Sequence, residues 1–236
     1  MSKKKIAIMQ PYFFPYIGYF QLINAVDEFV IYDNIEFTKK GWINRNRILV
    51  NGTDALISLP IKKDSDYLHV NERFLADTWE VDRKKLLNRI TESYRKAPYF
   101  KETYAVLEEC IMYDDRNLFK FILYSLQTLM QYLNIDTKLL VSSSVPIDHE
   151  LKSDEKVIAI CKERGAAIYI NPIGGLELYD KEIFKKYNLE LQFQKANKIT
   201  YSQFNNEFIP WLSIIDVMMF NKVEEMQSKL EAYSLY

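Results

Sequence analysis

The chain has 236 residues, 48% of them hydrophobic and 27% charged, the balance of an ordinary globular protein. Its 31 basic and 32 acidic residues leave a net charge of −1, which gives no global attraction to nucleic acid or to a membrane surface. The basic start Met1–Lys5 precedes an apolar run that ends at Gln10-Pro11, too short for a signal peptide. No run elsewhere reaches the ~20 apolar residues of a membrane span. A cytoplasmic protein without membrane insertion is expected. The length suits a single α/β domain over 1–236, with a helical segment at about 77–133. Cys110 and Cys161 sit among apolar neighbours and read as core thiols. His69 and His149 stand far apart and no metal-ligand spacing occurs, so no metal site is expected and no cofactor can be named. The 17 tyrosines fit a polar-lined groove or partner surface as well as a tyrosine-rich core.

In chain order, Ile6–Met9 reads as a short buried strand, Gln10–Tyr19 as an aromatic loop, Phe20–Val26 as a helix and Glu28–Asp33 as a second strand. Strand, helix and strand within about thirty residues is the length of a parallel βαβ crossover. Arg47–Val50 and Asp54–Leu59 flank Asn51-Gly52, the strongest short hairpin signal. Helical periodicity follows over Asp77–Tyr94, over Tyr99–Met112 after Pro98, and over Leu118–Leu133. The α/β alternation then returns. Lys138–Ser142 is a strand with the turn Ser142–Pro146 beyond it, and Asp154–Arg164 is a helix closed by Gly165. Ala166–Ile170 is a strand with the turn Asn171–Gly175, and a short helix at Asp180–Lys186 leads to the strand Leu189–Phe193. Helices over Ile209–Asn221 and Val223–Tyr233 end the chain. The pattern predicts a Rossmann-like, mainly parallel sheet with a β-hairpin and a packed helical segment.

Ligands of such sheets sit beyond the carboxyl ends of the strands, which points to the first loop. Gln10, Tyr12, Tyr16, Gly18 and Tyr19 lead into a helix start, where free N–H groups and the helix dipole favour a phosphate. Gly18 would let a ligand approach closely. Lys39, Lys40, Arg45 and Arg47 place four cations within nine positions, interleaved with Trp42, Asn44 and Asn46. Cations and amides suit a diphosphate and sugar hydroxyls, and Trp42 a base or sugar ring; the plainer reading is a solvated basic edge. Ser143, Asn171 and Gly174 lie in later strand-end turns and could hold phosphate oxygens. Asp216, a carboxylate on an apolar helix, needs a partner, expected to be Lys or Arg from the basic segment. It reads as a structural tie or a general base. Tyr16, Lys39 and Asp216 are the catalytic candidates.

Phe14-Pro15-Tyr16-Ile17-Gly18-Tyr19 resembles the signature of the nucleotidyltransferase superfamily, which sets histidines around a glycine in this strand–loop–helix position. Tyrosines stand here at both histidine positions. Histidine stabilises charge on the transferred phosphate, whereas tyrosine is a neutral donor with a pKa near 10, so the resemblance implies nucleotide binding more than adenylyl transfer. Gln10–Phe20, Tyr32-Asp33, Trp42–Arg47 and Leu212–Asp216 together are similar to the motifs of the WbqC-like family. Its members are associated with bacterial O-antigen and other surface-polysaccharide gene clusters. That resemblance implies a cytoplasmic role in making or modifying a nucleotide-linked sugar.

The expected function is a transferase acting on a nucleotide-activated sugar, by acyl, aminoacyl or nucleotidyl transfer. The alternative is a non-catalytic binding or assembly protein for polysaccharide-biosynthesis enzymes. A nucleotide or nucleotide sugar is the expected partner, with a homo-oligomer or an enzyme partner left open. Nucleic acid is not expected, because the balanced charge leaves no large phosphate-binding footprint.

Overall fold

The computed structural model describes residues 3–236, so Met1 and Ser2 of the basic start lie outside it. The chain folds as β1 (Lys5–Met9), α1 (Ile17–Asn24), β2 (Glu28–Ile31), a hairpin of β3 (Arg45–Val50) and β4 (Thr53–Ser58), and three helices, α2 (Trp79–Tyr94), α3 (Phe100–Ile111) and α4 (Leu118–Tyr132). It continues as β5 (Lys138–Val141), α5 (Ser153–Glu163), β6 (Ile168–Pro172), α6 (Lys181–Lys186), β7 (Glu190–Ala196), α7 (Ile214–Phe220), α8 (Val223–Leu230) and β8 (Tyr233–Leu235).

Six strands form the central sheet in the order β5-β2-β1-β6-β7-β8, parallel throughout except for β8. This is the Rossmann-like, mainly parallel α/β architecture expected. All four residues of β2 are buried, as in a strand covered on both faces. From β1 the chain runs outward through β2 and β5 on one side and through β6 and β7 on the other, so its direction reverses between β1 and β6. There the ladder is short. β1 pairs with β2 through Met9↔Ile31 but with β6 only at Lys5↔Ile168 and Ile6↔Tyr169. Such a reversal is where open α/β sheets place a ligand crevice, beyond the carboxyl ends of the strands.

Two apolar clusters cover the sheet. One joins Phe13 and Phe20 of the opening stretch with Ile48 of the hairpin, Trp79 and Tyr94 of α2, Phe121 of α4 and Ile215 of α7. The other packs Ile6, Ile8 and Val30 against Val157 and Cys161 of α5, Tyr169 and Phe184. Burial raises both cysteine thiols to about 12, which keeps them protonated. Asn51 and Gly52 turn the hairpin at φ 50° and 79°, the conformation that Asn-Gly favours. Gly165, at φ 63°, ends α5 by donating to the Lys162 carbonyl at 3.0 Å.

The C-terminal third differs from the pattern read in the sequence. The helix expected over Ile209–Asn221 begins only at Ile214. Pro210 lacks an N–H, Trp211 adopts φ 62°, and Ser213 caps α7 by accepting from the Ile215 N–H at 3.2 Å. The last helix stops at Leu230, and Tyr233–Leu235 add an antiparallel strand to β7. Three residues are too few for strand periodicity to show. The first helix starts at Ile17 rather than Phe20. Among the described residues no helix is long and apolar enough to cross a membrane.

Candidate functional site

Three stretches far apart in sequence meet beside the carboxyl end of β1. The loop after β1, the start of β3 and the segment before α7 are knotted by backbone and short polar side chains. Phe13 N–H donates to the Ile43 carbonyl at 3.1 Å, Ser213 N–H to the Arg47 carbonyl at 2.8 Å, and Ile214 N–H to the Pro15 carbonyl at 2.8 Å. Asn46 Nδ2 donates to the carbonyls of Phe13 at 3.1 Å and Phe14 at 2.9 Å, and Ser213 Oγ to that of Phe14 at 2.7 Å. Phe14 is held at φ 41°, a conformation that L residues rarely adopt. The two donors on its carbonyl compensate part of that strain. Asn46, expected to face a ligand, is therefore buried in the scaffold.

Asp216 lies at 0% exposure behind this knot. Its carboxylate accepts from Tyr94 Oη at 2.8 Å, Tyr201 Oη at 2.7 Å and Gln203 Nε2 at 2.7 Å. Tyr94 Oη in turn accepts the Leu49 N–H at 2.8 Å, which links α2, the hairpin and α7. No Lys or Arg takes part, contrary to the expected cationic partner. Neutral hydroxyls and an amide are less costly to bury than an ammonium or guanidinium. Burial raises the Asp216 pKa, and the three donors oppose that shift.

In front of the knot, Tyr12, Tyr16, Trp42, Arg47 and Trp211 ring a cavity of about 170 Å³ with Asn46 at its floor. Trp42 is 40% exposed and Trp211 58%. The rings of Tyr16 and Trp211 meet edge-on, with centroids 5.9 Å apart. Arg47 stands between the two tryptophans. Its Cζ is 5.8 Å from the Trp42 ring centroid, its Nη2 donates to the Trp211 carbonyl at 3.4 Å, its Nη1 pairs with Asp54 at 3.1 Å, and its buried Nε has no acceptor. The Tyr12 and Tyr16 hydroxyls bond no described residue, and burial raises both pKa values, so each is a neutral donor. Tyr16 and Trp211 also border a neighbouring space of about 40 Å³ beside Tyr201 and Phe208. Gly18 has a different role from the one expected, because a Cβ there would overlap the Tyr16 ring. The glycine seats Tyr16 over the first turn of α1. Trp211, at φ 62°, is held in a conformation that costs about 1–3 kcal/mol, a strain concentrated at functional sites.

The other expected residues divide. Tyr19 is buried and donates to the Gln10 carbonyl at 2.8 Å, leaving the half-buried Gln10 side chain at the end of β1. Arg45 Nε donates to the Gly41 carbonyl at 3.0 Å, and its Nη2 to that of the exposed Lys40, so this guanidinium is turned onto its own loop. Lys39 is exposed, pairs with Asp66 at 2.6 Å and, with Asn44, faces a different groove. Ser143 is engaged by Asp33, to which its N–H donates at 2.9 Å and its Oγ at 2.6 Å. Burial pushes the Asp33 pKa up, but the donors Ser143, Ser142 and Asn71 bring it below the ordinary carboxylate range. Asn171 is buried and accepts from Tyr169 Oη at 3.0 Å, while Gly174 lies in an open loop beyond β6. Ser143, Asn171 and Gly174 are not among the cleft's lining, so the convergence expected at one edge is partial. A groove of about 590 Å³ beside Lys3, Lys181 and Glu190 lies at the opposite, amino edge of the sheet.

The model of the WbqC-like protein family matches residues 10–228, from the aromatic loop to the last helix, and so spans the knot and the whole cleft. The chain belongs to the WbqC-like protein family. An uncharacterized protein of Mycobacterium tuberculosis, Rv1507c, is 30% identical to it over 224 residues, 92% of this chain and 94% of that protein. No solved structure matches. Family membership carries an association with polysaccharide biosynthesis.

Two members of this WbqC-like cleft were not singled out by the sequence. In the sequence Arg47 is one of four cations that suit a diphosphate or a solvated basic edge, and Trp211 falls inside an expected helix. The signal for Trp211 was its position after Pro210 and two residues before the capping Ser213. Aromatic faces, neutral hydroxyls and one guanidinium are the chemistry suited to stacking rings and hydrogen-bonding hydroxyl groups.

Proposed function

We propose that the chain is a transferase acting on a nucleotide-activated sugar in bacterial surface-polysaccharide biosynthesis, by acyl, aminoacyl or nucleotidyl transfer. The cleft between Trp42 and Trp211 carries this reading. Two exposed tryptophans, two tyrosine hydroxyls without a partner among the described residues and the Arg47 guanidinium surround one cavity beside the β1 carboxyl end. A base or sugar ring stacks on the indoles, and Tyr12 and Tyr16 donate to its hydroxyls. A thermal-shift panel of UDP-, dTDP- and GDP-linked sugars and nucleoside triphosphates tests this. A ligand at 100 times its dissociation constant stabilises by about 2.7 kcal/mol, a rise of about 5–10 °C for a chain of this length. No rise with any nucleotide at millimolar concentration contradicts the reading. Release of pyrophosphate from a triphosphate separates nucleotidyl from acyl transfer.

The assembly-protein reading draws on a different surface. Ile173, Leu176 and Leu178 lie exposed in and beyond the turn after β6. A stoichiometric enzyme partner lost on Leu176→Ser and Leu178→Ser, with no turnover of any sugar nucleotide, would favour it.

A further inference from the structure

A second space opens on the other side of the basic segment. Beyond β2 the chain pairs with residues 68–72. Val70 N–H donates to the Ile35 carbonyl at 2.9 Å and Asn71 N–H to that of Asp33 at 3.1 Å. This lays a short turn beside the strand's carboxyl end and carries Arg73 inward. Arg73 is 3% exposed, yet its guanidinium makes no hydrogen bond or ion pair with a described residue, and Nε and Nη2 are both buried without an acceptor. These two nitrogens share one edge of the guanidinium, the edge that forks two oxygens of an anion. The Phe37 ring, 5.0 Å from Cζ, supplies a cation–π contact. Asp66, its pKa lowered chiefly by the Lys39 hydrogen bond, lies close enough for the Arg73 charge to help lower it but makes no ion pair with Arg73, so the buried guanidinium edge lacks acceptors until an anion completes the site.

Arg73 lines a groove of about 650 Å³ with Lys39, Lys62, Lys63 and Asn44, and with Asp64 and Asp66. Four cations against two carboxylates leave two positive charges, the complement of a phosphoryl dianion. Asn44 Oδ1 is buried without a donor, a position that a hydroxyl beside the phosphoryl group would fill. We propose that this groove is a phosphoryl-binding site for a phosphate ester or diphosphate, with Arg73 as the fork and Lys62 and Lys63 drawing the anion in. It uses none of the residues that ring the aromatic cleft, so it stands even if that cleft binds something else.

Isothermal titration of the full chain with inorganic pyrophosphate and with inorganic phosphate tests the site. Saturable pyrophosphate binding is expected, weakened about tenfold or more by Arg73→Gln and several-fold by Lys62→Glu with Lys63→Glu, and unchanged by Trp211→Ala. Both lysines are exposed, so the charge reversal decides the matter should Arg73→Gln fail to fold. No binding to the unmodified chain, or equal affinity in the charge-reversed variant, overturns the proposal. UDP-glucose separates two sources of the phosphoryl group. Weaker UDP-glucose binding in Arg73→Gln, or in the charge-reversed variant, assigns the groove to the diphosphate of a nucleotide sugar; unchanged binding assigns it to a separate phosphate ester.

Discussion

The rim of the aromatic cleft and the knot behind it come from the same three stretches of chain, yet neighbouring residues take opposite roles. Asn46 is tied to the Phe14 carbonyl and forms only the floor of the cavity, while Arg47 stands at its rim; Ser213 is sealed while Trp211, two residues earlier, is more than half exposed. The short polar residues satisfy backbone groups in a strained loop, and the aromatic residues they position face outward. A motif rich in amides and cations is thus not one surface. Asn46 shapes the loop, while Trp42 and Arg47 line the cavity.

The sharpest way to break this division is to attack the knot. Asp216→Ala removes one acceptor from three buried donors and is expected to cost about 3–5 kcal/mol, lowering the melting temperature by roughly 6–20 °C. Denaturant unfolding measures it, and a stable variant would mean that Asp216 is not the tie. Asn46→Ala is expected to cost about 2–4 kcal/mol, since two buried hydrogen bonds go and the Phe14 strain is uncompensated. Trp211→Ala should do the reverse, leaving stability within about 1 kcal/mol while weakening sugar-nucleotide binding about tenfold or more. Loss of folding with Trp211→Ala would erase the distinction between rim and knot.

Glu28 sharpens the contrast from outside, as a charged tie rather than a neutral one. Arg164 donates to it at 2.9 and 2.8 Å and Lys4 lies at 3.1 Å, and the Arg164 hydrogen bonds lead in lowering its pKa to about 2 from 4.5. A depressed folded pKa stabilises above the unfolded value and ceases to do so as pH falls through the folded one. Glu28→Gln should therefore cost about 1–3 kcal/mol at neutral pH, and the difference from the unmodified chain should shrink between pH 4.5 and 2. Asp216 has the opposite sign, its burial-raised pKa disfavouring the folded state as pH rises through it.

Much of the sheet was legible because parallel strands buried on both faces appear as apolar runs, as in Phe29-Val30-Ile31, and because Asn51-Gly52 announces its own turn. The cleft was legible in part. Tyr12, Tyr16 and Trp42 stood out as rings in loops, where a core does not need them. The part Asn46 plays in tying the loop was not legible, because an amide that satisfies a strained carbonyl has the same chemistry as one that binds a sugar hydroxyl. Trp211 and Arg73 stayed hidden since neither exposure nor a missing partner is local; both follow from contacts between distant segments.

The tryptophans offer the most direct test of where the ligand sits. The chain has 3, and Trp79 is buried between α2 and α4 while Trp42 and Trp211 border the cleft. Titration with the best sugar nucleotide should change the fluorescence saturably. A protein carrying Trp42→Phe and Trp211→Phe should melt like the unmodified chain and show no change. A response carried by Trp79 alone, or none in the unmodified chain, would contradict the placement of the ligand between Trp42 and Trp211.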